Sequence, residues 1–182
     1  MLLHSNTCDF EWPAPGFDLA TPDGVRHTRD GIMGPKGMLI AFICNHCPYV
    51  IALIDRLAQD MQLLEKMGIG CAAIMPNDYD SYPADAPDRM LDFAKAHGMT
   101  APYLVDASQS VARAYGAVCT PDFFGFNAKG GLQYHARLDD IGMRGDPAKR
   151  VPELLNAMTQ IADTGKGPEA QTPSMGCSIK WR

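Results

Sequence analysis

Apolar and polar positions along the chain fall into two kinds of segment. Short unbroken apolar runs, GMLIAFI at 37–43 and IGCAAIM at 69–75, have strand length and no polar face. They predict strands covered on both sides, as in the middle of a parallel or mixed sheet. Between them, PYVIALIDRLAQDMQLLEKMG places Ile51, Ile54, Leu57, Met61 and Leu64 at steps of three or four. That spacing predicts one amphipathic helix, opened by Pro48 and ended by Gly68. Strand, helix and strand in this order form a βαβ unit, whose crossover is expected to be right-handed.

The remaining pattern extends the same architecture. DRMLDFAKAHGM at 88–99 predicts a helix with Asp88 as N-cap, PYLVD at 102–106 a short strand, and SQSVARAYGA at 108–117 a short helix ended near Gly116. Asp23-Gly24 lies between extended segments in 17–37, and NAKGG divides 122–140 into two strand-like halves; both are hairpin signals. Residues 146–165 predict a last helix with an apolar stripe of Leu154, Leu155, Met158 and Ile161. Pro147 fits its first turn, whereas Pro152 requires a kink or a later start. Residues 1–14 read as an N-terminal arm. Residues 166–182 read as an irregular tail that packs on the body through Met175, Cys177, Ile179 and Trp181. The whole chain, 1–182, is expected to be a single α/β domain with a central mixed sheet flanked by helices and an N-terminal β-hairpin extension.

Composition narrows the class without naming a chemistry. The 182 residues are 46% hydrophobic and 20% charged, with 16 Lys and Arg against 21 Asp and Glu, a formal charge of −5. No basic block is present, so neither nucleic acid nor an anionic membrane is expected as a partner. The start, MLLHSNTCDFEWPAPG, lacks a basic region followed by an apolar stretch, and no run reaches the ~18 apolar residues of a membrane span. A cytoplasmic location is the expectation. There, the six cysteines are not expected to form a disulfide framework.

The chemistry concentrates in FICNHCPYV at 42–50, where Cys44 and Cys47 follow a buried strand and Pro48 opens a helix. A Cys-x-x-Cys there is a redox couple, half of a metal site, or two core cysteines. The junction favours the first reading. A helix start offers unsatisfied N–H groups and the positive end of a dipole, which stabilise a thiolate. Cys44 is then expected to attack a substrate disulfide and Cys47 to resolve the mixed disulfide, with His46 between them supporting the Cys44 thiolate. A structural zinc site would need a second Cys-x-x-Cys or a His-x₃₋₅-His, and the chain has neither. His4, His27, His97 and His135 have no ligand spacing, and Cys71 falls in a buried strand. Tyr49 and Phe123 are candidates to line a groove beside the cysteines.

MLIAFI, CNHCPYV and VCTPDFF at 118–124 together resemble the thioredoxin-like superfamily. More narrowly, with the closing TPSMGCSIKW, the chain resembles redoxin-domain proteins near the alkyl-hydroperoxide-reductase/thiol-specific-antioxidant branch, over about residues 15–181. The resemblance implies a thioredoxin-like fold in which a cis-proline faces the dithiol and the residue before it pairs with substrate backbone. The matching positions are Pro121 and Thr120, with Cys119 beside them as a third substrate-side candidate. It further implies a thiol–disulfide oxidoreductase without metal or organic cofactor. Its partners would be a protein or small-molecule disulfide or thiol, and an electron donor such as a thioredoxin or glutathione system. Two alternatives remain: a thioredoxin-dependent thiol peroxidase with an antioxidant role, and a copper-handling module built on the cysteine pair and His46. Three departures stand out. Ile43 and Asn45-His46 replace the usual Trp and Gly-Pro. Met38 occupies the place of thioredoxin's buried acid. The run before Cys44 lacks the Pro-x-x-x-Thr-x-x-Cys pattern of peroxiredoxins.

Overall fold

The computed structural model describes residues 1–182. In chain order, the first half comprises Leu2–His4 (β1), Asp18–Ala20 (β2), Arg26–Thr28 (β3), Arg29–Ile32 (α1), Gly37–Phe42 (β4), Pro48–Ile51 (α2), Ile54–Lys66 (α3) and Ile69–Met75 (β5). The second half comprises Pro87–Ala96 (α4), Tyr103–Val105 (β6), Ser110–Tyr115 (α5), Cys119–Thr120 (β7), Asp122–Phe126 (β8), Leu132–Tyr134 (β9), Glu153–Thr164 (α6) and Met175–Ser178 (β10).

Seven strands form one mixed sheet in the order β3-β2-β6-β5-β4-β8-β9. β4 pairs parallel with β5 and antiparallel with β8, so it lies between neighbours on both edges. Every residue of β4 is buried, as its unbroken apolar run requires. Its alternation divides the core. Leu39, Ala41 and Ile43 pack with residues of α3 and α6, including Leu57, Met61, Leu154 and Met158. Met38, Ile40 and Phe42 pack on the other side with Tyr115, Phe124 and Phe126. Met38, at the position of the missing acid, is thus a core residue on the face away from Cys44. The predicted hairpin is β2 and β3, and β8 and β9 flank the NAKGG turn.

Local expectations fail at four places, each for a visible reason. The helix expected from Pro48 to Gly68 is two helices. Leu53 N bonds back to Val50 O at 3.0 Å, a tightened turn that ends α2. The break turns Ile51 outward, 52% exposed, while Val50 and Ile54 stay buried. Asp88 is not the N-cap of α4: the helix starts at Pro87, whose fixed φ suits the first position, and Ala86 caps it without a side-chain bond. Pro147 opens only a 3₁₀ turn instead of the last helix, while α6 takes the later start expected from Pro152. Finally, the arm and the tail are not irregular throughout. β1 and β10 pair antiparallel, and β10 pairs with β7, making a second sheet of three strands. Strands this short leave no period to read, and β1 and β10 find each other from opposite ends of the chain.

Candidate active site

The sheet brings the sequence candidates together. Cys44 lies two residues beyond β4, whose last paired residue, Phe42, sits opposite Asp122 of β8. The segment leading into β8, Thr120-Pro121, therefore lies beside the cysteines. The peptide bond between Thr120 and Pro121 is cis, as the resemblance implied. Thr120 meets both sulfurs: Cys44 Sγ is 3.3 Å from its Oγ1, and Cys47 Sγ is 3.1 Å from its carbonyl oxygen. Both cysteines are fully buried. Cys119 is buried too, and its thiol donates to the Pro121 carbonyl oxygen at 3.5 Å rather than meeting the pair.

His46 is anchored by a residue that no spacing marked. The Nδ1–H of His46 donates to Asp85 Oδ2 at 2.8 Å. Asp85 is fully buried and also accepts from Asn45 N at 2.8 Å and from Asn77 Nδ2 at 2.8 Å. An acceptor with three donors is the arrangement a buried carboxylate needs. On its other side, the His46 ring stacks on Tyr82, centroids 5.8 Å apart. Tyr103 donates to Asn45 Oδ1 at 3.0 Å, which ties the residue between Cys44 and His46 to β6. Asn77, Tyr82 and Asp85 belong to the segment between β5 and α4, which is rich in proline and aspartate and has no apolar period. Its position after β5, next to the strand that leads into Cys44, is the signal that points to them: residues at the carboxyl ends of adjacent parallel strands build sites.

The expected electrostatics are reversed within the pair. The helix starts at Pro48 with Cys47 at its N-cap, so its positive end lies at Cys47 and not at Cys44, without a side-chain capping bond. The Cys44 thiol, the backbone N–H groups of Val50 and Cys177, and the Cys177 thiol lower the Cys47 thiol from the ordinary 9.0 to about 4. Cys44 is pushed up, first by its interaction with Cys47, then by burial and by the nearby Asp85 charge. The Thr120 carbonyl opposes ionisation of Cys47, because it accepts only from a protonated thiol. One neutral carbonyl is outweighed by that set of donors. The two shifts run in opposite directions and favour keeping the proton that the sulfurs share on Cys44.

Other expectations find their places. Tyr49 and Phe123 line a cavity of about 530 Å³ together with Leu53, Pro121, Ser174 and Met175; neither Cys44 nor Cys47 lines it. His97 pairs with Asp55 and His135 with buried Asp122, so both are satisfied locally. Cys71 is a buried strand residue. For a metal, Cys44 Sγ, a His46 ring nitrogen and an Asp85 oxygen lie within 4.8 Å of one another. The cluster is one sulfur, one nitrogen and one carboxylate, without Cys47. A soft ion such as copper favours more than one sulfur, so this set suits it poorly.

The sequence profile of the AhpC/TSA family matches residues 11–135. The chain belongs to the AhpC/TSA family. No curated protein matches it. An uncharacterized conserved protein from Geobacillus kaustophilus has 34% identity and a TM-score of 0.93, over 100% of this chain and 97% of that one. A hypothetical protein from Sinorhizobium meliloti has 36% identity and a TM-score of 0.91, over 98% of each chain. The thioredoxin domain of a thiol-disulfide oxidoreductase from Bacteroides vulgatus shares the fold alone, with a TM-score of 0.66 and 12% identity over 87% of this chain and 99% of that one. The fold of this AhpC/TSA redoxin is thioredoxin-like, with the terminal three-stranded sheet added to it. No helix is long and apolar enough to cross a membrane.

Proposed function

We propose that this AhpC/TSA protein is a thiol–disulfide oxidoreductase that works through Cys44 and Cys47. One observation carries the reading: Thr120, next to a cis-proline, contacts both sulfurs, at 3.3 and 3.1 Å. As a substrate disulfide arrives, the Cys47 thiolate takes the Cys44 proton, and Cys44 attacks one substrate sulfur. The substrate S–S bond breaks, and its other sulfur leaves as a thiolate. Protonated Cys47 donates to the Thr120 carbonyl until the departing thiolate removes that proton. Cys47 then attacks Cys44 Sγ, forming the Cys44–Cys47 disulfide and releasing the second substrate sulfur as a thiolate, which takes a proton from water. His46, held by Asp85 beside Cys44, is a positive-capable ring that favours charge on Cys44 during attack. A cytoplasmic dithiol donor of the thioredoxin or glutathione class would restore the pair.

Insulin reduction tests this reading. Wild-type protein is expected to turn over with excess dithiol, and Cys44→Ser to be inactive. A wild-type protein with no activity above the dithiol alone rules the reading out. The second reading is a thiol peroxidase with Cys44 as the peroxide-attacking sulfur, against which stands the missing Pro-x-x-x-Thr-x-x-Cys pattern. Peroxide consumption that persists in Cys47→Ser would select that second reading.

A further inference from the structure

The sulfurs of the couple are fully buried, yet a partner must reach one of them. Cys177 of β10 is the partly exposed cysteine beside them. Its Cα pairs with that of Thr120 in the antiparallel β10–β7 ladder. Side chains directly opposite each other in such a ladder project from the same face. The Thr120 side chain touches Cys44 Sγ, so Cys177 projects toward the dithiol. Consistent with this, Cys177 packs against the core cluster that contains Cys44 and Cys47.

The strand that carries Cys177 is firmly placed. Ser174 Oγ donates to the Pro121 carbonyl oxygen at 2.8 Å, and Ser174 N donates to Ser5 Oγ at 2.8 Å. β1 pairs with the other edge of β10, and Ser178 N donates to Met1 O at 2.8 Å. Gly176 lies against the Thr120 carbonyl so closely that an added Cβ would collide with it. Here the missing side chain is what lets β10 approach the cis-proline segment.

We propose that Cys177 is a third redox thiol, which takes over the disulfide from the Cys44–Cys47 pair and presents it at the surface to an external dithiol. The inference rests on the proposed oxidoreductase function. In the exchange step, the Cys177 thiolate attacks Cys47 Sγ. The Cys44–Cys47 bond breaks, the Cys47–Cys177 bond forms, and the electron pair leaves on Cys44 Sγ, which takes up the proton Cys177 gave up. The oxidation level of the protein does not change. An external dithiol then attacks Cys177 Sγ and releases Cys47 as a thiolate. The second thiol of that donor closes its own disulfide and releases Cys177, so two electrons enter the protein and the donor is oxidised.

Disulfide mapping and reduction kinetics test this together. Wild type, Cys44→Ser and Cys177→Ser are oxidised with oxidised glutathione, quenched in acid, alkylated and mapped by peptide mass spectrometry. Wild type is expected to contain both Cys44–Cys47 and Cys47–Cys177 peptides, and Cys44→Ser the Cys47–Cys177 peptide. Oxidised Cys177→Ser is expected to hold only Cys44–Cys47 and to be reduced by dithiothreitol about tenfold more slowly than wild type, since access to the attacked sulfur sets such rates. Cys177→Ala, with near-ultraviolet circular dichroism to verify its fold, repeats the kinetic test. Absence of the Cys47–Cys177 peptide from both wild type and Cys44→Ser overturns the proposal, and so does wild-type reduction kinetics in both Cys177 variants. In either event, insulin reduction by wild type would leave the oxidoreductase reading standing; its absence would remove that reading instead.

Discussion

Asp85 holds His46 through a 2.8 Å bond from Nδ1, although the two residues are 39 positions apart in the chain. The carboxylate reaches the cysteine segment through this histidine and through the backbone N–H of Asn45. The contact brings a carboxylate next to Cys44 from a neighbouring loop, while Met38 fills the core.

Asp85→Asn keeps the volume and removes the charge. It turns an acceptor of three hydrogen bonds into a group whose NH₂ faces donors. The expected result is a loss of roughly 1–3 kcal/mol in chemical denaturation and a fall of about 10-fold or more in insulin reduction. Unchanged activity would remove His46 and Asp85 from the mechanism.

Cys47 predicts a pH dependence for the reduced protein. Its thiol is lowered from 9.0 to about 4 in the fold, so between those values the unfolded chain binds a proton that the folded one does not. Stability of the reduced form therefore rises with pH across that window, is complete above the unfolded value and is lost as pH falls through about 4. Denaturation of reduced wild type and Cys47→Ser at several pH values is expected to show a difference that grows with pH. A difference constant from pH 4 to 9 would contradict the assignment of the thiolate to Cys47.

Gly176→Val places a branched side chain against the Thr120 carbonyl. β10 is expected to lose its pairing with β7, exposing Cys44 and Cys47, which are otherwise fully buried. Alkylation of the native protein with iodoacetamide, followed by peptide mass spectrometry, reads this directly. Faster labelling of both cysteines is expected; labelling at the wild-type rate would mean that β10 does not cover them.

Arg150 neutralises Asp60, a fully buried acid of α3, with two bonds of 2.6 and 2.9 Å. Arg150→Met leaves that charge unpaired and is expected to cost about 3–5 kcal/mol in urea denaturation. Adding Asp60→Leu is expected to restore most of the loss, because the burial penalty goes with the charge. Insulin reduction by the double variant is expected to match wild type.

The fold was legible where burial is periodic or complete. β4, α3 and β5 announced themselves because a central strand must be apolar on both faces and a packed helix on one. Ile51 was misread because the break at Leu53 rotates the first turn away from the core, and no apolar spacing records such a break. In the site, Cys44, His46 and Cys47 were legible from one short motif, and Thr120-Pro121 from family resemblance. Asp85 and Asn77 were not, since polar residues in a loop carry no period.

By itself the sequence determined the βαβ unit and the position of the cysteine pair at the end of a buried strand. Those follow from local chain geometry and from which faces must leave water. Only the tertiary structure decided that the helix start lies at Cys47, that Asp85 reaches His46, and that the two termini meet over Thr120 to bring Cys177 to the pair. These contacts join distant segments through single hydrogen bonds and short ladders, whose partners are chosen by the packed arrangement and not by neighbouring residues.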